Sequence, residues 1–153
     1  MQLSLFILAH LMGVVVKMNR EILIEELKRD EGVVLTLYQC SAGKNTIGVG
    51  RNIDDRGITE DESDYLLSND IDLCVRELEG AFSWFGTLSD SRQRVLVNMC
   101  FNLGLSRLMG FKKFLAAMEA REWETAGVEM LDSKWAEQVG ARSTRLRDLI
   151  LEG

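Results

Sequence analysis

The 153-residue chain is 46% hydrophobic and 27% charged, enough apolar material for one sizeable core and too little length for two ordinary domains. Its formal net charge of −6 argues against nucleic acid, because binding to a phosphate backbone works through Lys and Arg, and no basic stripe interleaved with aromatics is present. Cys40, Cys74 and Cys100 cannot all pair within one chain and have no zinc spacing; the single histidine, His10, lies in an apolar leader. Metal, cofactor and most Cys-His or Ser-His-Asp chemistries are therefore not expected.

Residues 3–16 read LSLFILAHLMGVVV, a run too short for a comfortable membrane span and closer to a signal-peptide core or a buried helix. No positive residue precedes it, Lys17 and Arg20 follow it, and no small-x-small cleavage site stands before Met18. One reading is a signal or anchor, which would bring membrane contact. The other is an upstream extension, with Met18 as the natural start, and the amphipathic helix that begins directly after Met18 favours it. The chain thus divides into 1–17, leader or extension, and 18–153, a single domain.

Asn19 can cap a helix running to about Asp30, with Glu21, Glu25 and Glu26 early, Lys28 and Arg29 late, and Ile22, Leu23 and Leu27 as its apolar face. Gly32 breaks it. Residues 33–39 and 46–49 are β-branched, apolar runs around the turn-rich stretch 41–45, which predicts a small hairpin. A second turn is expected at 54–57, and Thr59 with Glu62 has capping-box spacing for a long helix. In that helix Leu67, Ile71, Cys74 and Leu78 form one buried stripe, with Cys74 as a core thiol.

Ser89 can cap a further helix that is apolar nearly all round over 95–103 except at Asn98 and Asn102, which share one face and either satisfy buried neighbours or line a polar cleft. Helical patterns follow at 111–120, 123–131 and 143–151. The expected class is α+β, mainly α: a β-hairpin lobe in front and a helical lobe behind, joined by the long helix.

A cofactor-free sugar hydrolase needs a proton donor beside the glycosidic oxygen and a second group that attacks carbon or activates water. Glu31 stands where the first helix gives way to the hairpin, Cys40 follows after eight intervening residues and Thr46 after five more. With RDEG, Tyr38 two residues before Cys40, TIGVG over 46–50, ITEDE, VNMCFNLG over 97–104, Trp123, Trp135 and Arg142, the sequence resembles the T-even-type phage lysozymes, glycoside hydrolase family 24, from Met18 to the last helix. The family motif carries Glu, then Asp or sometimes Cys, then Thr.

The resemblance implies hydrolysis of the β-1,4 bond between N-acetylmuramic acid and N-acetylglucosamine in peptidoglycan, by an endolysin that is made in the host cytoplasm and acts in the periplasm after release or export. It implies a two-lobed fold with the glycan between the lobes, Glu31 as general acid, Cys40 in the place of the usual aspartate and Thr46 as the hydroxyl that holds the attacking water. Arg142 matches the arginine that neighbours the acid in the family. Phe101 and Asn102 match cleft-lining positions, and Gln138 falls near a further one. Asn52 occupies a binding position with a different residue, while Arg51 and Phe114 stand where the T-even type has histidine and serine. The partner expected is the glycan strand of the wall, the expected state a monomer, and the alternative a catalytically inactive peptidoglycan-binding or regulatory module.

Overall fold

The computed structural model describes residues 18–153, so the reading of the leader falls outside the described residues. Two compact units meet in sequence between Thr59 and Glu60.

The first unit opens with α1 (Arg20–Glu31). Asn19 caps it as expected, its side chain accepting the Ile22 N–H at 3.0 Å, an arrangement that contributes about 1 kcal/mol. Lys28 and Arg29 sit in the last turn, where they suit the helix dipole, and Gly32 ends the helix with φ of 77°, a backbone conformation that favours glycine. The expected apolar face is exposed rather than packed: Ile22 is 58% and Leu27 44% accessible, and α1 buries no residue.

Beyond Gly32 come β1 (Val34–Gln39), β2 (Asn45–Gly48) and β3 (Arg51–Asn52), an antiparallel sheet in the order β1-β2-β3. The hairpin is where the sequence puts it, but a third strand joins it; two residues are too few to show a period-2 pattern. Tyr38 pairs with Thr46 and Gln39 with Asn45, whereas Val34 faces Gly48, so β1 carries a bulge between Val34 and Tyr38. The expected turn at 54–57 is instead a short helix, α2 (Ile53–Arg56), capped by Asn52 and closed by Gly57.

The second unit begins with the long helix α3 (Glu60–Ala81). Its predicted stripe is buried only in its second half. Cys74 and Leu78 are 7% and 0% accessible, while Leu67 and Ile71 remain exposed because they line a surface groove instead of the core. After a 3-10 turn at Phe85–Thr87 comes α4 (Asp90–Leu103), capped by Ser89. α4 is the centre of the unit: Val95, Leu96, Met99 and Cys100 are essentially inaccessible, and each such apolar side chain contributes about 1.5–3 kcal/mol by burial.

Around α4 lie α5 (Leu105–Leu108), α6 (Lys112–Ala120), α7 (Trp123–Leu131), α8 (Lys134–Val139) and α9 (Ala141–Glu152). The short helices α5 and α8 are too brief to leave a periodic signature and were not expected from the sequence. Arg92 of α4 stacks 3.7 Å over the Trp123 ring and donates to the Ile150 carbonyl at 2.9 Å, tying α4 to α7 and α9. A small three-stranded antiparallel sheet beside a predominantly helical chain is the mainly α, α+β class that the sequence implied.

Candidate active site

Glu31 is the last residue of α1, and its side chain is exposed. The abrupt break at Gly32 leaves the carboxyl at the end of a rigid element rather than on a loop.

Cys40 follows β1 directly and is half-buried in a turn that folds back on it. Its N–H donates to the Lys44 carbonyl at 3.0 Å and its carbonyl accepts the Gly43 N–H at 2.8 Å. The same turn binds the sulfur. Backbone hydrogen bonds from Lys44 first and Ala42 second hold the Cys40 thiol below the ordinary cysteine range, against the opposing effect of desolvation, with a further lowering bond from the Thr46 side chain. Thr46, only 3% accessible, donates its hydroxyl proton to the Lys44 carbonyl at 2.9 Å. Cys40 and Thr46, six positions apart in sequence, are therefore brought together by the β1–β2 pairing.

The turn is fastened from outside by α2. The Asp54 carboxylate accepts the Asn45 backbone N–H at 2.9 Å and the Asn45 side-chain amide at 3.0 Å. The Asn45 backbone bond foremost, then its side chain and the nearby Lys44 charge, hold the Asp54 carboxyl below its usual range. Lys44 Nζ meets Asp55 at 2.8 Å. Asn52 is committed to the same element, accepting the Asp55 N–H at 3.0 Å and donating to its carboxylate at 2.9 Å, so here its side chain serves as a helix cap. Sequence reading saw only a turn at 54–57. The acidic pair at the start of α2 was the available signal.

In the second unit, Phe101 and Arg142 line one groove of about 660 Å³ with Leu67, Ile71, Val97 and Asn98, whereas Gln138 is exposed on α8 and does not line it. The two asparagines of α4 both act as acceptors for later helices. Asn98 Oδ1 accepts Arg142 Nε at 2.9 Å and the Asn98 carbonyl accepts a second guanidinium nitrogen at 3.3 Å. Asn102 Oδ1 accepts the Trp135 indole N–H at 2.8 Å. Asn98 thus emerges as the residue that orients Arg142. Phe114 is 1% accessible and belongs to the core.

The other two thiols are of a different kind. Cys100, beside Cys74 and with its sulfur 3.7 Å from Glu77 Oε2, is pushed up to about 12 by burial first and then by its neighbours Cys74 and Glu77. Of the three thiols, Cys40 alone is not buried. Among the described residues no group of three or more His, Cys, Asp or Glu could hold a metal ion.

The small sheet thus carries a thiol near a buried hydroxyl, and the preceding helix ends on a carboxyl. The phage lysozyme family profile matches residues 28–149, a span that includes every one of these positions. Two relatives from Dictyostelium discoideum, a probable T4-type lysozyme 2 and a probable T4-type lysozyme 1, are each 28% identical: the first over 149 residues, 78% of this chain and 88% of the relative; the second over 156 residues, 83% and 92%. The pre-baseplate central spike protein Gp5 of Enterobacteria phage T4 is 30% identical over 158 residues, 84% of this chain and 27% of that protein. The chain belongs to the phage lysozyme family, and its activity class is that of a lysozyme-type glycoside hydrolase.

Proposed function

We propose that residues 18–153 form one catalytic domain that hydrolyses the β-1,4 bond between N-acetylmuramic acid and N-acetylglucosamine in bacterial peptidoglycan. In this reading the chain is a monomeric endolysin, made in the host cytoplasm and acting on the wall in the periplasm to lyse the cell. The observation that carries the reading is the Cys40–Thr46 arrangement inside the family match: the position where the family usually has an aspartate holds a thiol whose ionised form is stabilised by its own turn.

Glu31 donates a proton to the leaving oxygen. Thr46 orients water through its hydroxyl. Cys40, as thiolate, takes a proton from that water in an inverting reaction, or attacks the anomeric carbon in a retaining one. Arg142, on the groove of the second unit, is a candidate glycan contact. Phe101, Asn102 and Gln138 contribute glycan contacts. The substitution at Cys40 is also the one observation that favours a second reading, a wall-binding module that no longer cuts.

Clearing of chloroform-treated Gram-negative cells in reducing buffer separates the two. The parent clears them, and Glu31→Gln and Cys40→Ser do not. No clearing by a folded parent would select the binding module.

A further inference from the structure

Cys40 owes its hydrogen bonds to a turn that has little stiffness of its own. Residues 41–44 include Gly43 at φ of 73°, the whole chain contains no proline, and within the turn only the Gly43-to-Cys40 and Cys40-to-Lys44 backbone bonds close it. The Cys40 N–H donates to the Lys44 carbonyl at 3.0 Å, and Lys44 is the first cause that holds the thiol below its ordinary range, so a rotation at Lys44 or Asn45 disturbs both. What prevents that rotation comes from α2, where the Asp54 carboxylate grips Asn45 by two bonds of 2.9 and 3.0 Å. Both are charge-assisted and together they fix a peptide plane as well as a side chain.

We propose that Asp54 is a positioning residue for the Cys40 thiol: by clamping Asn45 at its backbone N–H and its side-chain amide, it holds the turn that Cys40 closes through its own N–H and carbonyl. α2 is suited to this role because Asn52 caps it and Asp55 pairs with Lys44, so the clamp is anchored at both ends. The charged groups of the turn and of α2 are Lys44, Asp54, Asp55 and Arg56, and Lys44 is already engaged by Asp55. The inference rests on the proposed function only in assigning the held thiol to catalysis; the clamp itself is a matter of geometry.

The sign of the effect separates positioning from simple charge. Asp54 is an anion, and removing an anion near a thiol on electrostatic grounds alone favours the thiolate and lowers the pH at which it forms. Losing the clamp acts the other way, because the turn that holds the thiol below its ordinary range is loosened.

The test follows the rate of iodoacetamide reaction at Cys40 against pH in the full chain, parent beside Asp54→Asn and Asn45→Ala, with hydrolysis of soluble peptidoglycan fragments measured on the same samples. Asp54→Asn is expected to move the alkylation midpoint up by about half a pH unit or more, and to lower kcat on the order of tenfold with KM changed by less than about twofold. Asn45→Ala, which keeps the backbone bond, gives a smaller upward shift and carries the test if Asp54→Asn melts. A midpoint that stays put or moves down in the folded variants overturns the proposal, whatever happens to hydrolysis. An upward shift in a protein that hydrolyses nothing upholds the clamp and overturns the hydrolytic reading instead.

Discussion

The Thr46 hydroxyl has one proton and two acceptors: it donates to the Lys44 carbonyl at 2.9 Å and stands within hydrogen-bonding reach of the Cys40 sulfur. Thr46 is 3% accessible, so its hydroxyl is shielded from bulk water. When Cys40 is a thiol, the carbonyl is the better acceptor; when it is a thiolate, the sulfur is. A buried hydroxyl that can follow the charge in this way supports ionisation of Cys40 without a cation.

Thr46→Val tests that relationship. It keeps the shape and removes the proton, so the alkylation midpoint of Cys40 rises. The protein loses about 1 kcal/mol, because the Lys44 carbonyl retains its bond from Cys40 while the hydroxyl's own bond is gone. Chemical denaturation and the pH dependence of alkylation read the two effects separately.

The three cysteines should divide cleanly. With iodoacetamide at neutral pH, Cys40 labels in the native protein, and Cys74 and Cys100 label only after unfolding, since both are buried and Cys100 is pushed up to about 12. Peptide mass spectrometry after timed quenching checks this.

The same values set a stability trend. The Cys100 proton is held in the folded state up to about 12, while an unfolded thiol releases it near roughly 8.5, so Cys100 costs stability as pH rises through that window. Cys40 works oppositely, adding stability as pH rises from its lowered folded value towards the unfolded one. Replacing Cys100 by Ala therefore flattens the alkaline fall in Tm, and replacing Cys40 by Ser steepens it.

Arg142 is held by an amide and a carbonyl from one residue, Asn98, rather than by a carboxylate. Asn98→Leu leaves the Arg142 Nε–H without its acceptor in a partly buried setting and costs about 1–3 kcal/mol, with a Tm lower by about 2–4 °C per kcal/mol. Differential scanning calorimetry is the check.

Cys40→Asp places a carboxylate in the same turn. A carboxylate is ionised well below the pH at which a thiol is, so if the group at position 40 works as a base the acidic limb of the rate profile moves to lower pH. Activity that is kept with a downshifted limb is the expected outcome, measured as initial clearing rates across the pH range.

The elements whose formation is decided locally were legible in the sequence. Asn19 and Ser89 cap helices where their side chains reach the N–H three residues on, and Gly32 ends α1 because little else tolerates its backbone angle. Elements of two to six residues, β3, α5 and α8, were not legible, since they are too short to show a period. Burial was misjudged along α3, where Leu67 and Ile71 continue the pattern of Cys74 and Leu78 but line a groove. In the candidate site, Glu31, Cys40 and Thr46 were marked by a spacing. Asp54 was not, because it acts through Asn45, nine positions away; Asn98 stood out as one of two asparagines on an apolar helix, but its partner Arg142, forty-four positions on, is supplied only by the fold.

The most direct test of the central claim is mass spectrometry of the fragments released from purified peptidoglycan, after borohydride reduction of their new ends. A muramidase releases fragments ending in reduced N-acetylmuramic acid, expected from the parent and not from Glu31→Gln. Fragments ending in reduced N-acetylglucosamine or in anhydromuramic acid, or none at all from a folded parent, would contradict that claim.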